Sequence, residues 1–375
     1  MWHSRTGSRG AIVLFALLIN ACAAQPEPPA AAPTPAHTPS PAATTPVQTP
    51  SATSDVPAVA PSVSQPAARD PLGGRLIATV PLGGGPDLPI EAFGSLWVLA
   101  VDGPLTNDGT EPAVHRIDPE TNEVVASVGL PGRVCQGIGA SPEALWACGP
   151  DGLVRIDPVE NVVVATVELP VASVVSRIAH GAGSVWAFAT AGMGADSVVR
   201  VDPATNKVTA TIALGHAAGT MAFGFGALWV TSPVDDLLLR VDPATDEVEE
   251  WATGIEGAYQ LAVGASALWV SLFGEAGLRA DDDEPTIVRI DPRTGEVEAS
   301  IATGGALEIS GGIAATDDGI WVRAGHPFLV RIDPATNEVV DRLDSGGIDS
   351  AGDVAVAFGS VWVTSELGDV LRLAP

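Results

Sequence analysis

One tyrosine, three methionines and three cysteines are all that 375 residues supply of those types, and lysine plus arginine number 18 against 45 aspartates and glutamates. The resulting formal net charge of −27 is the wrong sign for meeting a phosphate backbone, so no nucleic acid partner is expected. Also missing are a glycine-rich phosphate loop, a His-Glu-x-x-His zinc pair (a lone Glu-x-x-x-His step stands at Glu111 and His115) and a Gly-x-Ser-x-Gly elbow, the short signatures of nucleotide binding, zinc peptidase and serine esterase chemistry. An acidic surface of this kind keeps an exported protein soluble.

What the chain does have is a repeat. An apolar-Trp step recurs at Trp97, Trp146, Trp186, Trp229, Trp269, Trp321 and Trp362, seven copies spaced by about 40 to 52 residues, which is the period of propeller blades and too long for ankyrin or leucine-rich repeats. In the first six copies an Arg-apolar-Asp-Pro step follows, from Arg116 to Pro119 through Arg331 to Pro334; the seventh reads Arg372-Leu373-Ala374-Pro375. Each copy holds four short runs rich in β-branched residues, as in Met221–Phe223, Leu228–Thr231, Leu237–Val241 and Val248–Trp251, with no helical period between them. Asp-Pro-Ala-Thr-Asn at Asp202 and Asp333, and near-copies at Asp118, Asp242 and Asp291, join the third run to the fourth. Pro presets the first central φ of a type I turn, Asp can bond the backbone two residues on, and Asn, Asp or Gly tolerates the left-handed position that closes it. The expected fold is all-β: a seven-bladed β-propeller of four-stranded antiparallel blades, each burying its faces against its neighbours.

The seventh unit ends without a fourth strand. Gly74–Gly83 aligns position for position with Asn206–Gly215, the fourth strand of the third unit. The N-terminal strand is therefore expected to complete the last blade and leave no terminal blade with an unpaired inner edge.

Three segments follow from this reading. Residues 1–21 have a basic start at Arg5 and Arg9, an uncharged stretch from Ala11 to Ile19, then Asn20-Ala21 before Cys22. This reads as a secretory signal, too short to span a bilayer, and it resembles the bacterial lipoprotein signal with Cys22 as the lipid acceptor. Residues 22–70, almost entirely Ala, Pro, Thr, Ser and Val, cannot bury enough surface to fold and read as an extended spacer, with O-glycosylation a compositional option. Residues 71–375 form the ring. The expected location is extracytoplasmic, held to the cell membrane through a lipid anchor alone, and the expected state is a monomer.

Cys135 and Cys148 flank one hairpin of the second unit, and export permits a disulfide between them; two buried thiols are the alternative. The seven tryptophans and the third-strand arginines occupy repeated positions, so they are expected to serve the core and the joints between blades. A site needs asymmetry. The second-to-third-strand loops vary most and share one face with the blade connections, around the mouth of the central channel. Residues leading into the inner strands face that mouth, and Asp87, Gln136, Arg177, Thr220, Tyr259, Gln260, Ser310 and Asp353 are the ligand-binding candidates, with His326 from a variable loop. Tyr259, the lone tyrosine, could stack on a ligand or hydrogen-bond to it. Asp281–Glu284 offers carboxylate oxygens but lacks the spacing of a calcium loop, so a solvated acidic loop is its default. His115 and His180 are expected within blades.

The turn Val330-Arg331-Ile332-Asp333-Pro334-Ala335-Thr336-Asn337 after a Trp-bearing strand resembles the blades of the YVTN-repeat and virginiamycin B lyase-like propellers. That resemblance covers the whole ring. It implies the propeller fold and, for the lyase branch, opening of a cyclic depsipeptide by a His and Glu pair with bound magnesium. No Glu-x-His step flanks any ring histidine. The leading expectation is therefore a membrane-tethered binding module for a peptide, glycan or envelope protein, not an enzyme, with no catalytic residue and no metal ligand assigned. The alternative is a metal-dependent lyase or hydrolase with a divalent cation, Mg or Ca, at the mouth and His326 or His216 as base.

Overall fold

The structure is a computed structural model. It describes residues 72–101, 109, 111–130, 137–149, 151–169, 177–189, 195–272, 286–304, 311–325, 327–345, 352–365 and 367–375. The signal, Cys22 and the spacer lie outside the described residues, as do Cys135, Gln136, Ser310, His326 and the Asp281–Glu284 run.

Among the described residues, twenty-eight strands form seven four-stranded antiparallel sheets. Blades 1 to 6 take their strands consecutively, spanning Gly85–Gly129, Ile138–Glu168, Ala179–Ala218, Met221–Thr253, Ala258–Ile301 and Ile313–Leu343. Blade 7 combines Val354–Ala357, Ser360–Ser365 and Asp369–Leu373 with the N-terminal strand Leu76–Pro81, which pairs antiparallel to Asp369–Leu373.

The second strand of each blade is buried throughout, save for the half-buried last residues Val101 and Leu272 in blades 1 and 5, and its Trp packs toward the following blade. Trp229, for example, lies among Leu261, Leu268 and Val270 of blade 5. All seven repeat tryptophans are buried, each removing on the order of 200 Å² of apolar surface from water. In five blades the indole N–H donates to the backbone carbonyl five residues earlier, as Trp97 does to Ala92 at 2.9 Å. That bond ties the second strand to the tight hairpin behind it. In blades 1, 3, 4 and 7 this hairpin turns through a residue-Gly pair at positive φ (Phe93-Gly94, Ala182-Gly183, Phe225-Gly226, Phe358-Gly359), the twist that suits antiparallel strands.

The arginines join one blade to the next. Arg116 stacks over Trp97 and donates to the Pro158 carbonyl of blade 2, Arg155 donates to Pro203 and Asn206 of blade 3, and Arg200 to Pro243 of blade 4. Each thus reads the Asp-Pro turn of its neighbour, whose Asp caps its own turn: Asp118 Oδ1 accepts from the Glu120 N–H at 2.7 Å. Two joints depart from the rule for visible reasons. Arg240 lies over Trp251, and a Cβ at residue 295 of the blade 5 turn would stand 2.3 Å from the Trp251 carbonyl oxygen, so glycine replaces the usual Asn there. Blade 7 has no such turn, and Leu72–Arg75 serves the joint instead, with Leu72 fully buried and Arg75 Nη2 at 2.6 Å from Asp341 Oδ2.

In six blades the outer strand carries a β-bulge next to this arginine. The extra residues are Ile77, Val125, Val164, Thr209, Glu298 and Val340. In blade 4 the bulge has moved to Trp251.

Candidate binding site at the channel mouth

The second-to-third-strand loops and the blade connections do share a face: the Ile255 N–H bonds the Asp236 carbonyl at 2.9 Å and the Gly257 N–H bonds Asp236 Oδ1. On that side each inner strand or its lead-in places one residue opposite the second residue past the blade's Trp. Thr231 N–H donates to the Thr220 carbonyl, Thr364 to Asp353, Arg323 to Gly312 and Cys148 to Gly137, while Asp87 pairs with Leu99 and Gln260 N–H donates to Ser271 Oγ. Arg177 occupies the same place by spacing, eleven residues before Phe188. Around the ring these seven positions read Asp87, Gly137, Arg177, Thr220, Gln260, Gly312 and Asp353. Gln136 and Ser310, expected here, lie just before Gly137 and Gly312 and outside the described residues.

Arg177 and Asp353 meet. The Arg177 Nη2 of blade 3 hydrogen-bonds Asp353 Oδ2 of blade 7. Three joints separate those blades by the shorter way round, so the pair reaches across the channel. Asp353 is 2% exposed. Burial pushes its carboxyl above the ordinary carboxylate value, and Arg177 and the Val354 N–H pull the other way. Gly312 of blade 6 makes the room, since a Cβ there would fall 1.4 Å from Asp353 Oδ1. Thr364 fixes the backbone from behind, its hydroxyl accepting from the Asp353 N–H at 2.7 Å.

Asp87 and Tyr259 form a second cross-channel relationship, between blades 1 and 5. Asp87 is buried, with Oδ1 accepting from the Leu88 N–H at 2.9 Å. Burial raises the Tyr259 phenol above its usual range, and the negative charge of Asp87 adds to the rise, so the phenol stays protonated and able to donate. Thr220 is buried and takes its place through backbone bonds to Thr231, whose hydroxyl also donates to the Tyr259 carbonyl at 2.7 Å, locking blade 4 to blade 5. Gln260 is half-buried beside Tyr259. Asp87, Thr220 and Asp353 are thus sunk below the mouth surface and not set on its rim.

Sequence reasoning passed over the hydroxyls of Thr231, Ser271 and Thr364, which position this ring from beneath. A polar residue two places after each of these tryptophans, in strands otherwise apolar, was the available signal. It also passed over Arg323, which holds the same place in blade 6. Arg323 is buried, stacks 4.0 Å from the Phe328 ring centre and donates to the carbonyls of Ala324 and Phe328.

The histidines disperse as their lack of common spacing implied. His115 Nδ1 stands 2.9 Å from Ser127 Oγ, and burial lowers the pKa of His115 and of His180. His216, expected to be able to reach the mouth, stands on the outer strand of blade 3 beside a mouth-side loop of blade 4. Its Nδ1 lies 3.1 Å from Asp235 Oδ2 and its Nε2 3.5 Å from Glu250 Oε1 on the outer strand of blade 4, so both ring nitrogens face carboxylates at the rim. Among the described residues no group of three or more His, Cys, Asp or Glu side chains could hold a metal ion. Cys148 is buried and disulfide-bonded; its expected partner Cys135 lies outside the described residues.

No family model matches the chain, and no curated protein matches it. Solved structures do. Virginiamycin B lyase from Staphylococcus aureus superposes with a TM-score of 0.60 at 16% identity, covering 80% of this chain and 98% of that one. A streptogramin B lyase structure gives 0.58 at 16% identity, over 80% and 95% of the two chains. The computationally designed Ika8 protein gives 0.56 at 13% identity, over 77% and 83%. At such identities the likeness is one of fold. The chain is a seven-bladed β-propeller with the fold of the virginiamycin B and streptogramin B lyase structures.

Proposed function

We propose that this propeller is a binding module that takes a peptide, glycan or envelope-protein segment at its channel mouth, while the lipidated Cys22 and the 22–70 spacer tether it outside the cytoplasm. The observation that carries the reading is the contrast between the two ends of the channel. At the turn end the same Arg, Trp and Asp-Pro contacts recur from joint to joint. At the mouth seven equivalent positions carry an Asp, a Gly, an Arg, a Thr, a Gln, a Gly and an Asp. A buried ion pair is a poor device for stability, because apolar replacements do as well or better. Its placement where Thr, Gln and Gly also fit therefore favours recognition, with Arg177, Asp87 and Tyr259 as the groups a polar ligand would address.

The lyase reading draws on the names of the two structures above and needs a base and a cation site at the same mouth. His216, one of its two base candidates, is engaged by Asp235 and Glu250 at the rim, which favours the binding module. A thermal-shift screen of the chain with peptides, glycans and divalent ions separates the readings. A binding module gains several degrees with one organic class and loses that gain in Arg177→Ala and Tyr259→Phe. A lyase instead responds to a divalent ion and releases product.

We further propose that the disulfide of Cys148 is closed by Cys135. Peptide mapping without reductant should recover the two in one fragment, and recovery of Cys135 as a free thiol refutes the pairing.

A further inference from the structure

The outer wall of the ring is divided. At the bulge position the four consecutive blades 6, 7, 1 and 2 present Val340, Ile77, Val125 and Val164, at 53, 51, 52 and 52% exposure. Blades 3 and 5 present the exposed Thr209 and Glu298 at the same position, and blade 4 between them has Glu249 and Glu250 exposed on its outer strand. At this one position blades 6, 7, 1 and 2 are aliphatic and blades 3 and 5 polar or acidic, in a chain whose net charge is −27; Glu123, Glu168 and Glu338 flank the arc on the same strands and Val297 is exposed on blade 5. The core does not account for this, because the position points outward in these six blades; in blade 4 the bulge residue is Trp251, which packs against Trp229.

We propose that this aliphatic arc is the docking surface for the chain's own spacer, the valine-bearing segment 47–70. Three features select that occupant. The bulges interrupt the edge ladders of these blades, so an added β-strand, from a second copy or a partner, would find no continuous row of backbone groups to pair with. A polyproline II segment needs no such row: its backbone is solvated and it packs by side chains alone. The segment carries Pro50, Pro57, Pro61 and Pro66, places Val56 and Val59 three residues apart on one side of a threefold helix, and has only Asp55, Arg69 and Asp70 as charges.

Attachment and shape point the same way. The described chain begins at Leu72, buried between blades 6 and 7, and continues into Ile77, itself part of the arc. The spacer therefore leaves from within the surface it covers, at an effective concentration on the order of millimolar. Its 24 residues at about 3.1 Å each reach roughly 75 Å, against a radius of gyration of about 19 Å for a compact ring of this size. A convex wall meets a flat membrane or a second convex ring over a narrow strip, whereas a tethered segment can follow the curve. Docked, the spacer sets the orientation of the ring on its tether.

The test uses the exported chain with Cys22→Ala and no lipid, measuring protease cleavage within 47–70 and the radius of gyration by small-angle scattering. In Val125→Glu/Val164→Glu the cleavage rate should rise at least about tenfold, since cleavage follows the undocked population, and the radius should increase. Thr209→Glu, at the same position in blade 3, should change neither. Val56→Ser/Val59→Ser/Val63→Ser leaves the ring untouched and should reproduce the first result. Equal cleavage and size in all variants overturns the proposal. So does a dimer, or binding to lipid vesicles, that Val125→Glu/Val164→Glu abolishes, because either assigns the arc to another occupant.

Discussion

Arg372 Nη1 donates to Asn122 Oδ1 at 2.8 Å, across 250 residues of sequence. Arg155 makes the equivalent bond to Asn206 and Arg289 to Asn337 between consecutive blades. The last blade therefore grips the first by the same contact that joins its predecessors, and the ring is closed by an ordinary joint as well as by the N-terminal strand.

Deleting Leu72 to Gly83 removes that strand together with the buried Leu72 and Val80. Burial of two such side chains contributes about 3–6 kcal/mol, and a ring this size loses about 2–4 °C of melting temperature per kcal/mol. A fall of roughly 10 °C or more is expected, while a deletion of equal length within residues 25–46 of the spacer should leave the melting temperature nearly unchanged. Equal melting temperatures would show that the strand does not close the ring.

The cross-channel pair should behave as a coupled unit. Arg177→Ala leaves a buried carboxylate with its charge partner gone, which costs about 3–5 kcal/mol at neutral pH. Adding Asp353→Asn should restore most of that. Because burial holds Asp353 above the ordinary carboxylate value, its share of stability is full below the unfolded value near 3.8 and is lost as pH rises through its folded value. Wild type should therefore lose ground to Asp353→Asn as pH rises, and Arg177→Ala should recover on acidification. Gly312→Ala should mimic the loss, its Cβ displacing the carboxylate. Additive effects in a denaturation cycle would show that the two residues do not meet.

The turn aspartates act in the opposite sense. Backbone N–H donors lower the carboxyls of Asp157, Asp242 and Asp291, and Thr205 does so first for Asp202. A lowered folded pKa gives stability that is present above the unfolded value and lost as pH falls through the folded one. Melting temperature should stay level from neutral pH down to about 5 and decline below about 4. Replacing the four by Asn should flatten that acid decline, and an unchanged decline would mean that these turns do not set it.

The repeat made most of the fold legible before any coordinates. Trp at one spacing and Arg-x-Asp-Pro at another mark the second and third strands, because burial against a neighbouring blade and a tight turn each demand particular residue types wherever they occur. The same reasoning singled out Arg177, Asp353, Asp87 and Tyr259 as candidates, since residues that break a repeat stand out against it. It did not reveal that His216 is engaged by two carboxylates of the adjacent blade. It also passed over Gly312, whose significance lies in an atom of another blade.

Strand order, turn chemistry and the closing strand were decided locally, because period-2 apolar runs and left-handed turn positions depend on neighbours in the chain. Which mouth residues face each other was not. Arg177 and Asp353 stand 176 residues apart, and only the curvature of seven packed sheets, summed around the axis, sets which side chain lies opposite which. The grouping of the aliphatic bulge residues on one half of the wall became visible for the same reason, once the ring set blade 7 beside blade 1.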